Sequence, residues 1–281
     1  MRILVCVLAG AITAVFESAQ PTFSSRVEGV RVDVLVTDSS RKPLRGLTPA
    51  DFVIRDNGIP QQVDVVSFGE IALNVGLAFD MSESVAGARL RQLQSASKAL
   101  TTELQAVDQS SLITFDHEVS LRCPMSRDRS CVERALADVE PRGLTALIDG
   151  TFAGMLTGES DVGRSLLMVF SDGFDTASFL NVDRVLEIGR RSDVVVYPIA
   201  SRDARPDFLE ELASLTGGQL HEVGRDEELS KTFRAILDEF RHRYLLTYTP
   251  TNVAKGGWHK LDVRVNRPGA RVKARPGYQG E

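Results

Sequence analysis

The chain has 281 residues, enough for one large domain or two of ordinary size, and 43% of them are hydrophobic, which is sufficient for a buried core. Its formal net charge of -5 is spread along the sequence, with basic residues interleaved among acidic ones. A nucleic-acid-binding protein concentrates its basic residues in a patch, so we do not expect nucleic acid to be a partner.

The first residues have the composition of a signal peptide. The stretch MRILVCVLAGAITAVF places one arginine before an apolar run that is too short to cross a bilayer comfortably. We therefore expect residues 1–19 to be a signal peptide, the protein to be exported (periplasmic, secreted or at the cell surface), and the mature chain to have no transmembrane span. Cleavage after Ala19 would put Glu17 where a small residue is preferred, so an uncleaved amino-terminal anchor is the alternative.

Both ends of the remaining chain have the patterns of β-strands. Valines at every second position from Val30 to Val36 indicate a half-buried strand, and Asn57-Gly58 suits the tight turn of a hairpin. The run from Leu261 to Val265 alternates in the same way. Because neither end alone supplies enough strands for a stable core, we expect residues 24–70 and 242–281 to form one small β-sandwich.

The middle of the chain, residues 71–241, has a different pattern. Apolar runs of strand length such as IALNVGLAF, SLLMVFSD and DVVVYPIA alternate with stretches that have helical periodicity. This alternation predicts a doubly wound, Rossmann-like α/β domain, with a mostly parallel sheet and helices on both faces, inserted into the β-sandwich. The run HEVSLRC follows LITFD too closely for a helical connection, so we expect one antiparallel hairpin at an edge of the sheet.

The cysteines are compatible with export. Cys6 lies in the predicted leader, which leaves Cys123 and Cys131 for the mature chain. An even number fits a disulfide in an oxidising compartment, and two unpaired cysteines are the alternative. A zinc site is not expected, because these two cysteines and the four histidines do not have the spacing of zinc ligands.

Side chains with oxygen ligands follow two of the predicted central strands. Asp80, Ser82 and Ser84 follow the first of these strands, and Asp172 follows a later one. Thr145 lies in a loop between them, before a helical pattern. Because ligands of open α/β sheets bind at the carboxyl ends of the strands, we expect these five residues to share one crevice. Two carboxylates and three hydroxyls suit a hard divalent cation, Mg²⁺ first and Mn²⁺ or Ca²⁺ next.

Several polar residues near this crevice have alternative roles. Ser84 and Thr145 are also suited to capping the helices that follow them. Asp175 is interpreted as a turn former rather than a ligand. Asp116 beside His117 invites a catalytic interpretation, but a polar turn between the strands of the hairpin is preferred.

The order of these motifs resembles a von Willebrand factor type A domain. The motif Asp-x-Ser-x-Ser at Asp80–Ser84, a Gly-x-Thr-Ala-Leu loop around Thr145 and a Ser-Asp-Gly turn at Asp172 resemble its metal ion-dependent adhesion site (MIDAS). The resemblance covers roughly residues 71–241. The flanking β-patterns further resemble exported bacterial proteins described as von Willebrand factor A related, of the kind abundant in acidobacteria.

This resemblance implies that the serines and the threonine bind a metal ion, and that the aspartates bind it directly or through water. One coordination position is then left for an acidic residue of a partner protein. The resemblance also implies that the helix around Leu229–Phe240 shifts with ligand occupancy. Glu83 stands where the family often has a glycine, and we expect its side chain to point to solvent.

We therefore expect an exported protein-binding module of the adhesion type rather than an enzyme, with an unidentified partner that offers a carboxylate. One alternative is a metal-dependent hydrolase with its metal at Asp80. Against it, the sequence has no Gly-x-Ser-x-Gly turn, phosphate loop or His-Glu-x-x-His motif, and no histidine placed as a base. The other alternative is a structural protein whose β-sandwich does the binding.

Overall fold

The computed structural model describes residues 29–69, 71–160, 162–202, 207–224 and 228–280. The predicted signal peptide, residues 1–19, lies outside these ranges. The strands in chain order are β1 (Val30–Thr37), β2 (Phe52–Asp56), β3 (Ile59–Gln61), β4 (Val65–Phe68), β5 (Leu73–Asp80), β6 (Gln109–Phe115), β7 (Val119–Ser126), β8 (Arg164–Ser171), β9 (Val195–Ser201), β10 (His221–Val223), β11 (Tyr244–Tyr248), β12 (Gly257–Val265), β13 (Arg271–Lys273) and β14 (Gly277–Gly280). The helices are α1 (Ala88–Glu103), α2 (Arg129–Ala137), α3 (Leu147–Gly158), α4 (Val182–Arg191), α5 (Asp207–Thr216) and α6 (Leu229–Arg241). Among the described helices, none is both long enough and apolar enough to cross a membrane.

The central sheet has the strand order β10-β9-β8-β5-β6-β7. Its strands pair in parallel, except that β7 runs antiparallel to β6 at one edge. Helices α1, α2 and α6 pack on one face through one hydrophobic cluster, and α3, α4 and α5 pack on the other face through a second cluster. The predicted doubly wound, mostly parallel sheet and its antiparallel edge hairpin are therefore confirmed.

The strands in the middle of this sheet are buried along their whole length. Every residue of β5 and β8 is buried, because helices cover both faces of the sheet. This explains why the two strands have nearly continuous apolar sequences. Helix α6 instead buries one side, with residues at the three- and four-residue spacing of a single helix face: Leu229, Phe233, Ile236, Leu237 and Phe240.

The strands of the two chain ends form two antiparallel sheets, β13-β1-β11-β4 and β14-β12-β2-β3. Strand β1 pairs with β11 and β2 pairs with β12, so each sheet combines strands from both ends of the chain. The two sheets share a hydrophobic cluster that includes Val34, Ile54 and Leu246. At the Asn57-Gly58 turn both residues have positive φ angles, 49° and 84°, as a tight hairpin turn requires. The predicted β-sandwich is confirmed, and the exact residue boundaries of the domains stay predictions.

Charged side chains join the β-sandwich to the central domain. Arg164, the first residue of β8, forms an ion pair with Asp33 of β1. The same guanidinium donates hydrogen bonds to the carbonyl oxygens of Phe240 and Arg243, each at 3.1 Å. Arg275 donates to backbone carbonyls at the carboxyl end of α4. These contacts hold the ends of α6 and α4 against the sandwich.

Candidate metal centre

The candidate metal centre lies at the carboxyl edge of the central sheet. Asp80 is the last residue of β5, and Asp172 directly follows Ser171, the last residue of β8. These strands are parallel neighbours, so both carboxylates are brought to the same edge. Ser82 and Ser84 lie in the short turn after β5. The fold thus places two of the three predicted motifs side by side.

Asp80 is fully buried, and its carboxylate is held by neutral donors. Ser82 N–H donates to Oδ1 at 2.8 Å, and Ser171 Oγ donates to Oδ2 at 2.6 Å. Without a bound cation, burial raises the pKa of Asp80 to about 6, while the hydrogen bonds from Ser171 and Ser82 lower it and the charge of Asp172 raises it. An ionised carboxylate in this position is costly, so a cation in contact with it would stabilise the charged form.

A chain of hydrogen bonds connects the turn after Asp80 to Asp172. Ser82 Oγ and Ser84 Oγ lie 3.0 Å apart, and Ser84 Oγ donates to Asp172 Oδ1 at 2.6 Å. Four of the five predicted residues are therefore linked by direct contacts. The alternative role of Ser84 as the cap of the next helix is not observed, because α1 begins only at Ala88.

Thr145 is buried beside the turn that carries Asp172. A Cβ atom built on Gly173 would lie 3.7 Å from Thr145 Oγ1, so this hydroxyl is close to the residue that follows Asp172. Thr145 N–H donates to Thr176 Oγ1 at 3.0 Å, and the Thr145 carbonyl oxygen accepts from Thr176 N–H at 2.8 Å. Thr145 does not cap the following helix, because Ala146 is the N-cap residue of α3. The fifth predicted residue therefore reaches the same edge of the sheet.

Ser171 is the residue of this centre that the sequence interpretation missed. Its hydroxyl holds Asp80 from the neighbouring strand and also contacts the carbonyl oxygen of Gly173 at 3.2 Å. A signal was present, because this serine directly precedes Asp172 at the end of an apolar run. Its partner, however, lies 91 residues away, and only the pairing of β5 with β8 brings them together.

Other acidic residues near the edge have different contacts. Glu83 is exposed, as expected. Asp175 accepts a hydrogen bond from Ile148 N–H at 3.1 Å, so it caps the amino end of α3 in addition to shaping its own turn. Asp116 lies 3.2 Å from His117 Nδ1 and accepts a backbone hydrogen bond from two residues further on at 2.7 Å, which are the contacts of a polar turn.

The donor set of the centre fits a hard divalent cation. It comprises the two carboxylates of Asp80 and Asp172 and the hydroxyls of Ser82, Ser84 and Thr145. Mg²⁺, Mn²⁺ and Ca²⁺ prefer such oxygen ligands, whereas zinc sites usually include histidine or cysteine. In the described ranges, no group of three or more histidine, cysteine, aspartate or glutamate side chains is placed to hold a metal ion.

The two cysteines of the predicted mature chain are paired. Cys123 of β7 and Cys131 of α2 form a disulfide, with their Cα atoms 6.0 Å apart. This separation is usual for a disulfide. The bond ties the edge strand of the central sheet to the helix that follows it.

Comparisons with known proteins match the central domain. Residues 75–174 match the family model of the von Willebrand factor type A domain. Uncharacterized protein sll0103 of Synechocystis sp. is 27% identical over 176 residues, which make up 59% of this chain and 41% of that relative. The chain therefore matches less than half the length of this curated relative.

Solved structures share the fold at low sequence identity. An aerotolerance-related membrane protein from Bacteroides fragilis has a TM-score of 0.50 and 18% identity, over 60% of this chain and 98% of that chain. Proximal thread matrix protein 1 from the mussel byssus, solved with a zinc-occupied MIDAS motif, has a TM-score of 0.55 and 16% identity, over 64% of this chain and 48% of that chain. The family match and the shared fold show that the central domain of this protein is similar to a von Willebrand factor type A domain.

Proposed function

We propose that the protein is an exported binding module that holds a divalent cation and binds an acidic residue of a partner protein. The proposed cation ligands are Asp80, Ser82, Ser84, Thr145 and Asp172. One observation carries this proposal: the buried carboxylate of Asp80 is connected to that of Asp172 through the backbone N–H of Ser82 and the hydroxyls of Ser82 and Ser84. This connection lies at the ligand-binding edge of an α/β sheet.

The chemistry of the ligands supports Mg²⁺ as the bound ion, with Mn²⁺ or Ca²⁺ as alternatives. Few carboxylates and several hydroxyls suit an ion that keeps part of its water shell, as Mg²⁺ does. The mussel protein has the same fold and a zinc-occupied MIDAS motif, so zinc belongs in the same test.

The residues of the centre have different roles in the proposed binding. Asp80 and Asp172 supply negative charge, and the hydroxyls supply neutral oxygen ligands. When bound, the ion supplies positive charge and a coordination position for a carboxylate of the partner. Because Ser171 Oγ and Ser82 N–H already fix both oxygens of Asp80, this carboxylate needs little reorganisation to accept an ion.

Two further observations support an exported binding protein rather than an enzyme. The Cys123–Cys131 disulfide suits an oxidising compartment, in agreement with the predicted leader. His117, the histidine beside the β6–β7 turn, is paired with Asp116 in a polar turn and packs near Gly143. These contacts account for the pair without a catalytic role.

A thermal unfolding experiment tests cation binding. The mature chain from Gln20 is stripped with a chelator and unfolded in the presence of increasing Mg²⁺, Mn²⁺, Ca²⁺ or Zn²⁺. A ligand at a hundred times its dissociation constant adds about 2.7 kcal/mol to the free energy of unfolding. In a chain of this size that increase raises the unfolding midpoint by about 5–10 °C.

Two variants decide whether the shift comes from the proposed centre. Asp80→Asn keeps the size of the side chain and is expected to remove the shift. Asp64→Asn is the matched control, because Asp64 also accepts hydrogen bonds from a backbone N–H and a hydroxyl, those of Thr249 at 2.8 and 3.0 Å, but lies in the β-sandwich. It is expected to keep the full shift. Absence of any cation-dependent shift, or an equal shift in Asp80→Asn, contradicts the proposal.

A further inference from the structure

Large hydrophobic side chains are exposed on the two loops that carry Thr145 and Asp172. Leu144 directly precedes Thr145 and is 56% exposed, and Phe174 follows Asp172 by two residues and is 60% exposed. Phe179, further along the second loop, is 97% exposed. Single exposed apolar residues are ordinary, but a group of them around a ligand site is typical of a contact surface.

The two loops are bound to each other next to the metal centre. The carbonyl oxygen of Thr145 accepts hydrogen bonds from the N–H groups of Thr176 and Ala177, at 2.8 and 3.1 Å. Thr145 N–H donates in return to Thr176 Oγ1. Leu144 and Phe174 therefore extend from two backbone segments that are in direct contact, and they flank the proposed ligands.

The backbone that presents Phe179 is also anchored. The carboxylate of Asp149, in the first turn of α3, accepts hydrogen bonds from the N–H groups of Phe179 and Leu180, both at 2.9 Å. In return, Asp149 N–H donates to Ser178 Oγ at 3.1 Å. The nearly complete exposure of the Phe179 ring thus belongs to a fixed turn. Because the backbone is already ordered, contact with this ring costs less conformational entropy than contact with a loose loop.

We propose that Leu144, Phe174 and Phe179, together called the apolar rim, select a partner segment in which large apolar side chains flank the carboxylate that reaches the metal ion. This inference rests on the proposed function for the carboxylate and adds the source of specificity. A carboxylate alone is present on every protein surface, so it discriminates poorly between partners. Burial of apolar side chains against the rim supplies that discrimination.

The charges around the rim favour a protein segment over a lipid surface. Arg142 is exposed, but the exposed acidic residues Glu83, Glu118 and Glu140 lie in the same group of loops. Anionic membranes are recognised by clusters of basic residues, whereas here Arg142 is outnumbered by three carboxylates, one of which, Glu118, lies 4.0 Å from it. A peptide with one carboxylate between apolar side chains matches both the metal centre and the rim.

Selection from a random-peptide phage library tests the inference. The mature chain is presented to the library in Mg²⁺, and bound phage are released with chelator. The released peptides are expected to share a carboxylate with aromatic or large aliphatic residues beside it. Synthetic versions of these peptides are then measured against a triple variant, Leu144→Ser, Phe174→Ser and Phe179→Ser, which is expected to bind them about tenfold more weakly or worse.

The controls separate this inference from the proposed function. The control variant Val107→Ser also replaces a half-exposed hydrophobic residue. Val107 lies in the loop before β6, at the amino ends of the parallel strands and away from the metal centre. This variant is expected to bind the peptides as the wild type does. The triple variant is expected to bind Mg²⁺ in calorimetry as the wild type does. If the wild type binds no cation in calorimetry, the proposed function fails.

Several outcomes overturn the apolar rim while leaving cation binding intact. In one such outcome, the released peptides share a carboxylate but are not enriched in apolar residues. In another, the triple variant binds the peptides as tightly as the wild type does. Mg²⁺-dependent binding to phosphatidylserine-containing vesicles in place of peptides would assign the rim to a membrane. Self-association that the triple variant abolishes would assign it to a second copy of the chain.

Discussion

Asp80 and Glu239 are both largely removed from water, but their partners differ. Asp80, at the candidate metal centre, accepts hydrogen bonds from the hydroxyl of Ser171 and from a backbone amide. Glu239, on α6 at the junction with the β-sandwich, lies 3.0 Å from Arg243 and 3.3 Å from Lys273. Burial raises the pKa of Asp80 to about 6. Burial also acts to raise the pKa of Glu239, but the two cations outweigh it and lower this pKa to about 2.

This difference shows two ways of keeping a carboxylate inside a protein. The domain junction contains its own cations, so its charge is balanced by the chain itself. At the metal centre, the partners of Asp80 and Asp172 in the described part of the chain are hydroxyls and an amide N–H. Because these donors are neutral, they leave the negative charge of the two carboxylates available to an external cation. The proposed function depends on this property.

Replacing Arg243 should produce the largest change in stability. Arg243 is fully buried, pairs with Glu239, donates to the carbonyl oxygen of Gly217 at 2.8 Å and lies over the ring of Tyr197. Arg243→Met keeps the volume but removes the internal cation, and we expect the free energy of unfolding to fall by about 3 kcal/mol in urea titrations. Saturating Mg²⁺ should leave the difference between this variant and the wild type unchanged, because an ion at the proposed centre, at the other end of the domain, would stabilise both proteins equally.

A surface ion pair provides the control for this variant. Arg184 and Glu187 of α4 form a pair whose side chains are 65% and 48% exposed. Arg184→Met is expected to change the free energy of unfolding by less than about 1 kcal/mol. If Arg243→Met changed the free energy of unfolding by as little, the junction would not depend on its internal cation. The contrast between the junction and the metal centre would then be wrong.

The pH dependence of stability should show the lowered pKa of Glu239. A carboxyl group ionises near pH 4.5 in the unfolded chain, but Glu239 ionises near pH 2 in the folded protein. Its ionised form therefore contributes stability above about pH 4.5, and this contribution is lost as the pH falls towards 2. We expect Glu239→Gln to lower the free energy of unfolding at pH 7, and the pH-dependent part of the difference from the wild type to be about 2 kcal/mol. Urea titrations at pH 7, 5 and 3.5 measure it, and a difference that stays constant with pH would contradict the assignment.

The parts of the fold that could be predicted are those whose signal lies within one segment. The alternating valines of β1 identify a strand with one buried face, and the continuous apolar run of β5 identifies a strand covered on both faces. Asp80 and Asp172 could be placed at one edge because both follow such runs. For these elements, a local pattern and a general rule of sheet topology were sufficient.

The parts that could not be predicted depend on partners that are distant in the sequence. Arg164 and Arg243 stand at the ends of apolar runs, where charged residues are normally exposed, yet both are buried. Their contacts with Asp33 and Glu239 exist only because the β-sandwich closes over the central sheet. A single sequence shows neither the pairing nor the burial that makes these arginines important.

Replacing Ser171 is expected to have the smallest effect of these changes, and it tests the role of neutral hydrogen-bond donors at the candidate metal centre. If neutral donors keep Asp80 ready for a cation, removal of the Ser171 hydroxyl should weaken cation binding even though this serine is not a proposed ligand. Outer partners of metal ligands typically contribute 10- to 100-fold in affinity, so Ser171→Ala is expected to raise the dissociation constant for Mg²⁺ by about tenfold in calorimetry. Thr157→Val is the control, because it also removes a hydroxyl, and within the described residues that hydroxyl donates to carbonyl oxygens of α3. An unchanged affinity in Ser171→Ala would mean that Asp80 is positioned by its own turn alone, since Ser82 N–H would then be sufficient to orient the carboxylate.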